Sequence, residues 1–324
     1  DVEYFAPTIE ARSQIRLAGA IQQPHVLIEL HKGQLVSENE LEQVELYELG
    51  EHLSLTLAIH ALVSQNRLSL SDKVADLLPE FQGRMQESMR VSHLLAHESG
   101  FAPRFDFHSS ITAFGANDWV EGSDEWQERV DFVPSEMDMR GRLLHDLPLA
   151  NGLNETRRFS LSNTRILSYL VERLTGQRLT EFLHQTFFAP LDLHHTRLDT
   201  PIELTENGTL APLVLRTRVD ELAILMQLML NDGSYGFQRF WQAPQLRRTY
   251  ESLLSFTDCD PYLGQSVWYW QAGGQYMLLD QQAHLAVLGQ VPDAIATHTN
   301  SCPIKGEAET QLKAIYQRHS GYKR

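Results

Sequence analysis

Between Tyr47 and Phe81 the chain reads YELGEHLSLTLAIHALVSQNRLSLSDKVADLLPEF, and the first half of that stretch leaves few choices of fold. Leu49, Leu53, Leu57, Ile59 and Leu62 recur at helical spacing, and Leu55 and Ala58 widen the stripe until little of the helix stays polar. A helix of that kind needs a core on nearly every side. Gly50 reads as its opening residue. Glu51 and Ser54, three apart, then share one face of the first turn, where free N–H groups favour acceptors and negative charge. His52 is rotated about 100° from Glu51 and so does not share its face.

A chain of 324 residues, 42% hydrophobic and 21% charged, has room for one large core or two lobes sharing an interface. The formal charge of −15 argues against a nucleic-acid or anionic-membrane surface, because such binding relies on clustered Lys and Arg. No apolar run approaches the roughly 20 residues that a membrane-spanning helix needs. Cys259 and Cys302 permit one disulfide, closing a loop of roughly 43 residues and worth about 4 kcal/mol in the chain-entropy model, or remain two buried thiols.

Several segments carry a family resemblance. Leu62 to Glu80 resembles the pattern L-V-x-x-G-x-L-x-L-x-D-x-V-x-x-x-L-P-E, and His93 to Gly100, HLLAHESG, is similar to H-L-L-x-H-T-S-G. Phe159 to Gly176, FSLSNTRILSYLVERLTG, resembles F-x-Y-S-N-x-x-Y-x-L-L-G-x-I-I-E-x-x-T-G, and Pro190 to Thr196 resembles P-L-G-M-x-x-T. Thr217 to Gly233 is similar to T-x-x-D-L-A-x-F-x-x-x-L-L-N-G-G, and Gly273 to Asp280 to the strand G-G-Q-x-x-x-V-D. These are patterns of the class C β-lactamase-like serine hydrolases, which include penicillin-binding DD-peptidases and related esterases. They follow in the family's order over roughly residues 20 to 318. The resemblance implies an α+β, β-lactamase/transpeptidase-like fold: an antiparallel sheet flanked by helices plus an all-helical lobe. Residues 1–71 and 234–324 would form the discontinuous sheet lobe, and 72–233 a helical lobe inserted into it.

The family's chemistry rests on three short motifs, and this chain departs from each. In S-x-x-K the serine is acylated and the lysine one turn later helps remove its proton. Aligning on Tyr47 and Gly50 puts Glu51 at the serine position and Ser54 at the lysine position. The second motif, Y-x-N, reads Leu161, Ser162, Asn163, so the amide survives and the phenol does not. The third, K-T-G or H-x-G, falls on Tyr269-Trp270-Gln271 or on Gln271-Ala272-Gly273, and neither register offers a lysine or histidine. A slipped alignment does not rescue the motif: Ser320 is the one serine with a lysine, Lys323, three residues on, and it lies at the end of the chain.

Taken in order, residues 2–22 carry helical apolar spacing around Phe5, Ile9, Ile15 and Leu17, and His25 to Val36 reads as a hairpin about Lys32-Gly33. The acidic run from Glu38 to Glu51 reads as a solvated loop. Helices with long connections follow from Asp72. Phe101 to Leu149 is rich in aromatics, which line a ligand wall or pack a long insertion. Tyr262–Trp270, Gln275–Asp280 and His284–Gln290 read as strands, and Ala308–Arg318 as a closing helix.

His93 and His97 have metal-ligand spacing, but the resemblance places both in a structural turn, and no metal or cofactor is expected. His194-His195 point apart. The sequons at Asn154 and Asn207 matter only where the source glycosylates. The chain begins at Asp1, which fits a removed signal peptide or a trimmed chain, and the resemblance favours export to the periplasm or outside the cell.

Two readings of function stand, beside a purely structural role through an oligomer interface, which an apolar surface patch would mark. In the first, the chain has lost serine acylation and its interlobe cleft binds a small-molecule or peptide ligand, with Glu51 either capping its helix or meeting a cationic group. In the second it is an ester or amide hydrolase with a rearranged site, Ser54 or Ser162 acting as nucleophile and Glu51 as base.

Overall fold

A computed structural model describes residues 8–11, 25–37, 43–46, 48–82, 87–101, 152–155, 160–199, 213–241, 267–272, 275–281, 283–290, 314–315 and 318. The chain divides into two compact units. One comprises Asp1–Gln65, Leu183–Asp199 and Val214–Arg324, the other Asn66–Phe182 and Thr200–Leu213.

The first unit is built on a six-stranded sheet. Its N-terminal strands are β1 (Thr8–Ala11), β2 (His25–His31) and β3 (Gln34–Ser37), and β4 (Gln43–Leu46) belongs to a second sheet. Lys32 (φ 48°) and Gly33 (φ 77°) join β2 to β3 with the two left-handed residues of a tight hairpin, as the Lys-Gly pair predicts. Thr8–Ala11 is a strand and not part of the expected N-terminal helix; its β-branched Thr8 and Ile9 suit the edge place beside β3, to which it runs parallel. The remainder of that expected helix lies outside the described residues.

Helix α1 (Glu48–Ser64) follows β4 and is buried without a break from Leu49 to Leu62. It packs against β4, against β6 (Val214–Arg218) and against β9 (Val267–Ala272). Gly50 does not open this helix, which begins two residues earlier. Its missing side chain lets the backbone approach the small sheet: a Cβ there would lie 2.7 Å from the Cβ atoms of both Leu46 and Leu215. The acidic run before it is likewise no simple loop. In β4, Leu46 points in, while Glu45 faces out and meets Arg216 Nε at 3.1 Å.

The small sheet has the order β4-β6-β5, with β5 at Arg197–Asp199. The large sheet has the order β1-β3-β2-β11-β10-β9, where β10 is Gln275–Asp280 and β11 is Leu285–Gln290; all of its pairings but β1–β3 are antiparallel. These last three strands lie close to where alternation and the Gly-Gly turn put them. Ala314, Ile315 and Arg318 are helical, within the expected closing helix.

The second unit carries α2 (Val74–Leu77), a 3-10 turn at Pro79–Phe81, α3 (Val91–Leu95) and α4 (Leu161–Thr175). Both ends of α4 are sealed. Ser160 Oγ accepts the Ser162 N–H at 3.2 Å, Gly176 takes the left-handed cap (φ 71°), and Arg67 Nη2 donates to the Leu174 carbonyl at 2.6 Å. Helix α5 (Leu179–Leu183) runs into a π-helical turn at His184–Phe188, and α6 (Val219–Leu230) comes after β6.

The sequence places α6 within a helical lobe running from 72 to 233, yet α6 packs on β2, β3, β10 and β11 and groups with the sheet. Its apolar surface explains this: every residue from Val219 to Leu230 except Asp220 and Ile224 is buried. At about 1.5–3 kcal/mol for each large apolar side chain, that face needs a broad partner such as the sheet. Cys259, Cys302, the aromatic stretch after Phe101 and the Asn207 sequon lie outside the described residues.

Candidate functional site

Helix α1 presents the first group of candidate positions. Glu51 is fully buried and Ser54 is 1% exposed. Among the described residues, Ser54 Oγ has no hydrogen-bond partner. The helix also buries three polar residues that the sequence does not mark as core: His52, Thr56 and His60, spaced four apart along one stripe. Thr56 Oγ1 donates to the His52 carbonyl at 2.8 Å, and His60 Nδ1 donates to the Thr56 carbonyl. Burial, reinforced by repulsion from His60, lowers the His52 pKa to about 3; burial lowers that of His60 to about 4 against the opposing bond to Thr56. Both rings are neutral at pH 7.

The second group sits at the start of α4. Leu161 is its first residue, Ser162 is 2% exposed and Asn163 fully buried. Ser162 Oγ has no partner among the described residues. Asn163 is held from both sides: Ser99 Oγ donates to Oδ1 at 2.5 Å, and Nδ2 donates to His97 Nδ1 at 3.0 Å. His97 Nδ1 accepts a second bond, from the Ser160 N–H at 3.2 Å, so the imidazole is neutral there and carries its proton on Nε2. Ser99 Oγ in turn accepts the Phe101 N–H at 3.3 Å. His97 reaches this place from a left-handed turn (φ 55°) past the end of α3, not from a helix face shared with His93. His93 Nδ1 accepts the Arg90 N–H at 3.0 Å. Metal-ligand spacing at 93 and 97 is thus spent on two structural acceptors, and no group of three or more metal-binding side chains occurs among the described residues.

The third group lies on β9. Tyr269 pairs with Leu278 of β10 and Gln271 with Tyr276; Gly273 is outside the described residues. The adjoining Gln275 is buried, and its Nε2 donates to the Glu45 carbonyl at 2.9 Å, tying β10 to β4.

His194-His195, weak by sequence, holds a structural anchor. The buried Glu221 carboxylate accepts the His195 N–H at 3.0 Å on each oxygen, His195 Nδ1 at 2.8 Å and Thr196 Oγ1 at 2.5 Å. Burial raises its pKa, but the bonds from Thr196 and His195 outweigh that and hold it below the usual range. A depressed carboxylate pKa stabilises the fold above the usual carboxylate range, and that stability fades as pH falls through it. Glu221→Gln is expected to cost about 2–3 kcal/mol in urea unfolding at pH 7, with the gap to the parent narrowing below about pH 4.5.

Residues 54–291 match the family model described as Beta-lactamase, most of the chain. The chain belongs to the beta-lactamase family. The match begins at Ser54, three residues after Glu51. An N-acetylmuramyl-L-alanine amidase of Bacillus subtilis (strain 168) is 24% identical to this beta-lactamase family member over 226 residues, 55% of this chain and 47% of the amidase. The chain spans about half the length of the curated relatives it matches. Among solved structures, the Beta-lactamase/D-alanine carboxypeptidase of Yersinia pestis aligns with a TM-score of 0.56 at 14% identity, covering 92% of this chain and 93% of that one. The class C beta lactamase of Rhodobacter sphaeroides aligns at 0.53 and 15% identity, covering 93% and 95%. The fold is therefore β-lactamase/transpeptidase-like, of the α+β class. No helix among the described residues is long and apolar enough to cross a membrane.

Proposed function

We propose that this beta-lactamase family member has lost serine acylation and uses the positions matching the family's motifs to bind a small-molecule or peptide ligand without a covalent step. The observation that carries this reading is the state of the two serines left at those positions. Ser54 Oγ and Ser162 Oγ are both buried with no hydrogen-bonded base among the described residues. A hydroxyl becomes a useful nucleophile only beside a group that takes its proton. Lys32, Lys73, Lys305, Lys313 and Lys323 are the chain's lysines, and none falls on α1, α4 or β9 to supply the missing ammonium. Glu51 at the nucleophile position is a poor acyl acceptor. Export to the periplasm or outside the cell belongs to the same proposal, on the family resemblance.

The test is covalent labelling. The purified, folded protein is treated with a reactive penicillin and with a fluorophosphonate and weighed intact. No adduct is expected. A stoichiometric adduct would establish the hydrolase reading, and the labelled peptide would show whether Ser54 or Ser162 carries it.

A further inference from the structure

Among the described residues one large apolar side chain is fully exposed, and it stands at the tip of a hairpin in the first unit. Strands β7 (Ser234–Tyr235) and β8 (Gln238–Arg239) pair antiparallel and are joined by Gly236 and Phe237. Gly236 has φ 61° and Phe237 is not left-handed, the pattern of a two-residue loop that needs glycine in its first place only. The turn therefore requires its glycine and not its phenylalanine. Packing does not call for that ring either, because solvent surrounds it.

The base of the hairpin is fixed. The Phe240 N–H donates to the Gly233 carbonyl at 2.7 Å, and the Ser234 N–H to the Asn231 carbonyl at 3.2 Å. Phe240 stacks on Phe187 with ring centroids 5.5 Å apart, and Trp241 is buried. Phe237 is thus held out from a rigid support, so little backbone freedom is lost when something covers it. Beside it, the exposed Arg239 gives Nε to Ser234 Oγ at 3.3 Å and meets no carboxylate among the described residues. Arg197, Arg216, Arg218 and Arg318 each do. From Ser234 to Trp241 there is no acidic residue, in a chain with 42 of them against 27 Lys and Arg.

We propose that this tip docks on the acidic surface of a second copy of the chain, Phe237 filling a recess there and Arg239 pairing with a carboxylate. Aromatic residues and arginine are the side chains enriched where proteins meet. Two identical tips do not face each other, since that would set one unpaired guanidinium against another, so the contact runs head to tail. The net charge of −15 opposes the approach of two copies in low salt. At about 0.15 M ionic strength charges beyond about 8 Å are screened, and the local match decides. A phenylalanine buries on the order of 150–250 Å², far below the roughly 1,200 Å² of a stable interface, so the association is weak. The same net charge disfavours an anionic bilayer as the surface met. The tip shares no residue with the positions assigned to ligand binding, so docking and that assignment are independent.

Sedimentation velocity of the purified chain from about 10 μM to 1 mM, in about 0.15 M salt, tests this. The weight-average mass should climb with concentration. Phe237→Ser should lower the association constant about ten- to a hundredfold and, because the ring is exposed, leave the urea midpoint where it is, so that lost association is not lost fold. Arg239→Gln should weaken association in about 0.15 M salt and match the parent in about 1 M salt, where the effect of Phe237→Ser remains. Gln238→Ser, an exposed neighbour, should change nothing. A parent that stays monomeric throughout, or an association that Phe237→Ser leaves intact, would overturn the docking. So would a monomeric parent that phosphatidylcholine vesicles bind only while Phe237 is present, which would assign the tip to a bilayer.

Discussion

Gly233→Ala should lower stability by about 2–5 kcal/mol, read by urea or thermal unfolding. Gly233 ends α6 in the left-handed region (φ 82°); its N–H donates to the Leu228 carbonyl at 2.9 Å and its carbonyl accepts the Phe240 N–H at 2.7 Å. A left-handed residue with a Cβ costs about 1–2 kcal/mol. The larger part comes from the neighbour. A Cβ at 233 would lie 2.3 to 2.6 Å from three atoms of the Trp241 ring. That indole is 1% exposed and lodged among His60 and Phe187, so it cannot swing away, and overpacking adds about 1–3 kcal/mol. Gly236 is the control built into the same segment. It is also left-handed (φ 61°), but nothing lies within 4 Å of a Cβ there, so Gly236→Ala should show the backbone cost alone. Equal losses at the two sites would mean the indole contact contributes nothing.

His97→Ala should cost about 3–5 kcal/mol and disorder the start of α4. It removes the acceptor for two buried donors, the Ser160 N–H and Asn163 Nδ2, each of which costs about 1–3 kcal/mol when left unsatisfied. It also frees one side of the Asn163 amide, which Ser99 alone would then hold. His97→Asn should recover part of the loss, because Asn tolerates the left-handed backbone and offers an oxygen near the place of Nδ1. Asn no better than Ala would show that ring packing, not the acceptor, is what the site needs. A ligand bound through Asn163 should weaken in the Ala variant even under conditions where the protein stays folded.

What the sequence reveals here depends on whether a residue's role is written in its neighbours. The Lys32-Gly33 turn and the apolar spacing of α1 are local facts; the turn is where the pattern puts it, and the helix is there too but begins two residues before Gly50. The polar stripe of α1 is not local: His52 and His60 look like surface letters until tertiary packing buries them. Gly50 is similar, since the residues that demand its missing side chain are Leu46 on one strand and Leu215 far along the chain. β4 hides in an acidic run because only Leu46 turns inward. The periodicity of α6 is the same whichever unit it joins. At the candidate site, HLLAHESG and SLSN are each recognisable, but the bonds that join His97 and Ser99 to Asn163 span more than sixty residues and leave no mark in either segment. Glu221 gives no sign of clasping His195, because a glutamate in the first turn of a helix ordinarily faces water.

The neighbours of β2 set a timetable for the growing chain. One is β3, available at once through the hairpin; the other is β11, made more than 250 residues later. Until Leu285–Gln290 has been synthesised, β2 has an open edge. Through that interval the second unit, complete in sequence by Leu213, can already fold. Nascent chains stopped before β9 should therefore be the aggregation-prone ones, and a late, slow closure of the large sheet is the step most in need of a chaperone.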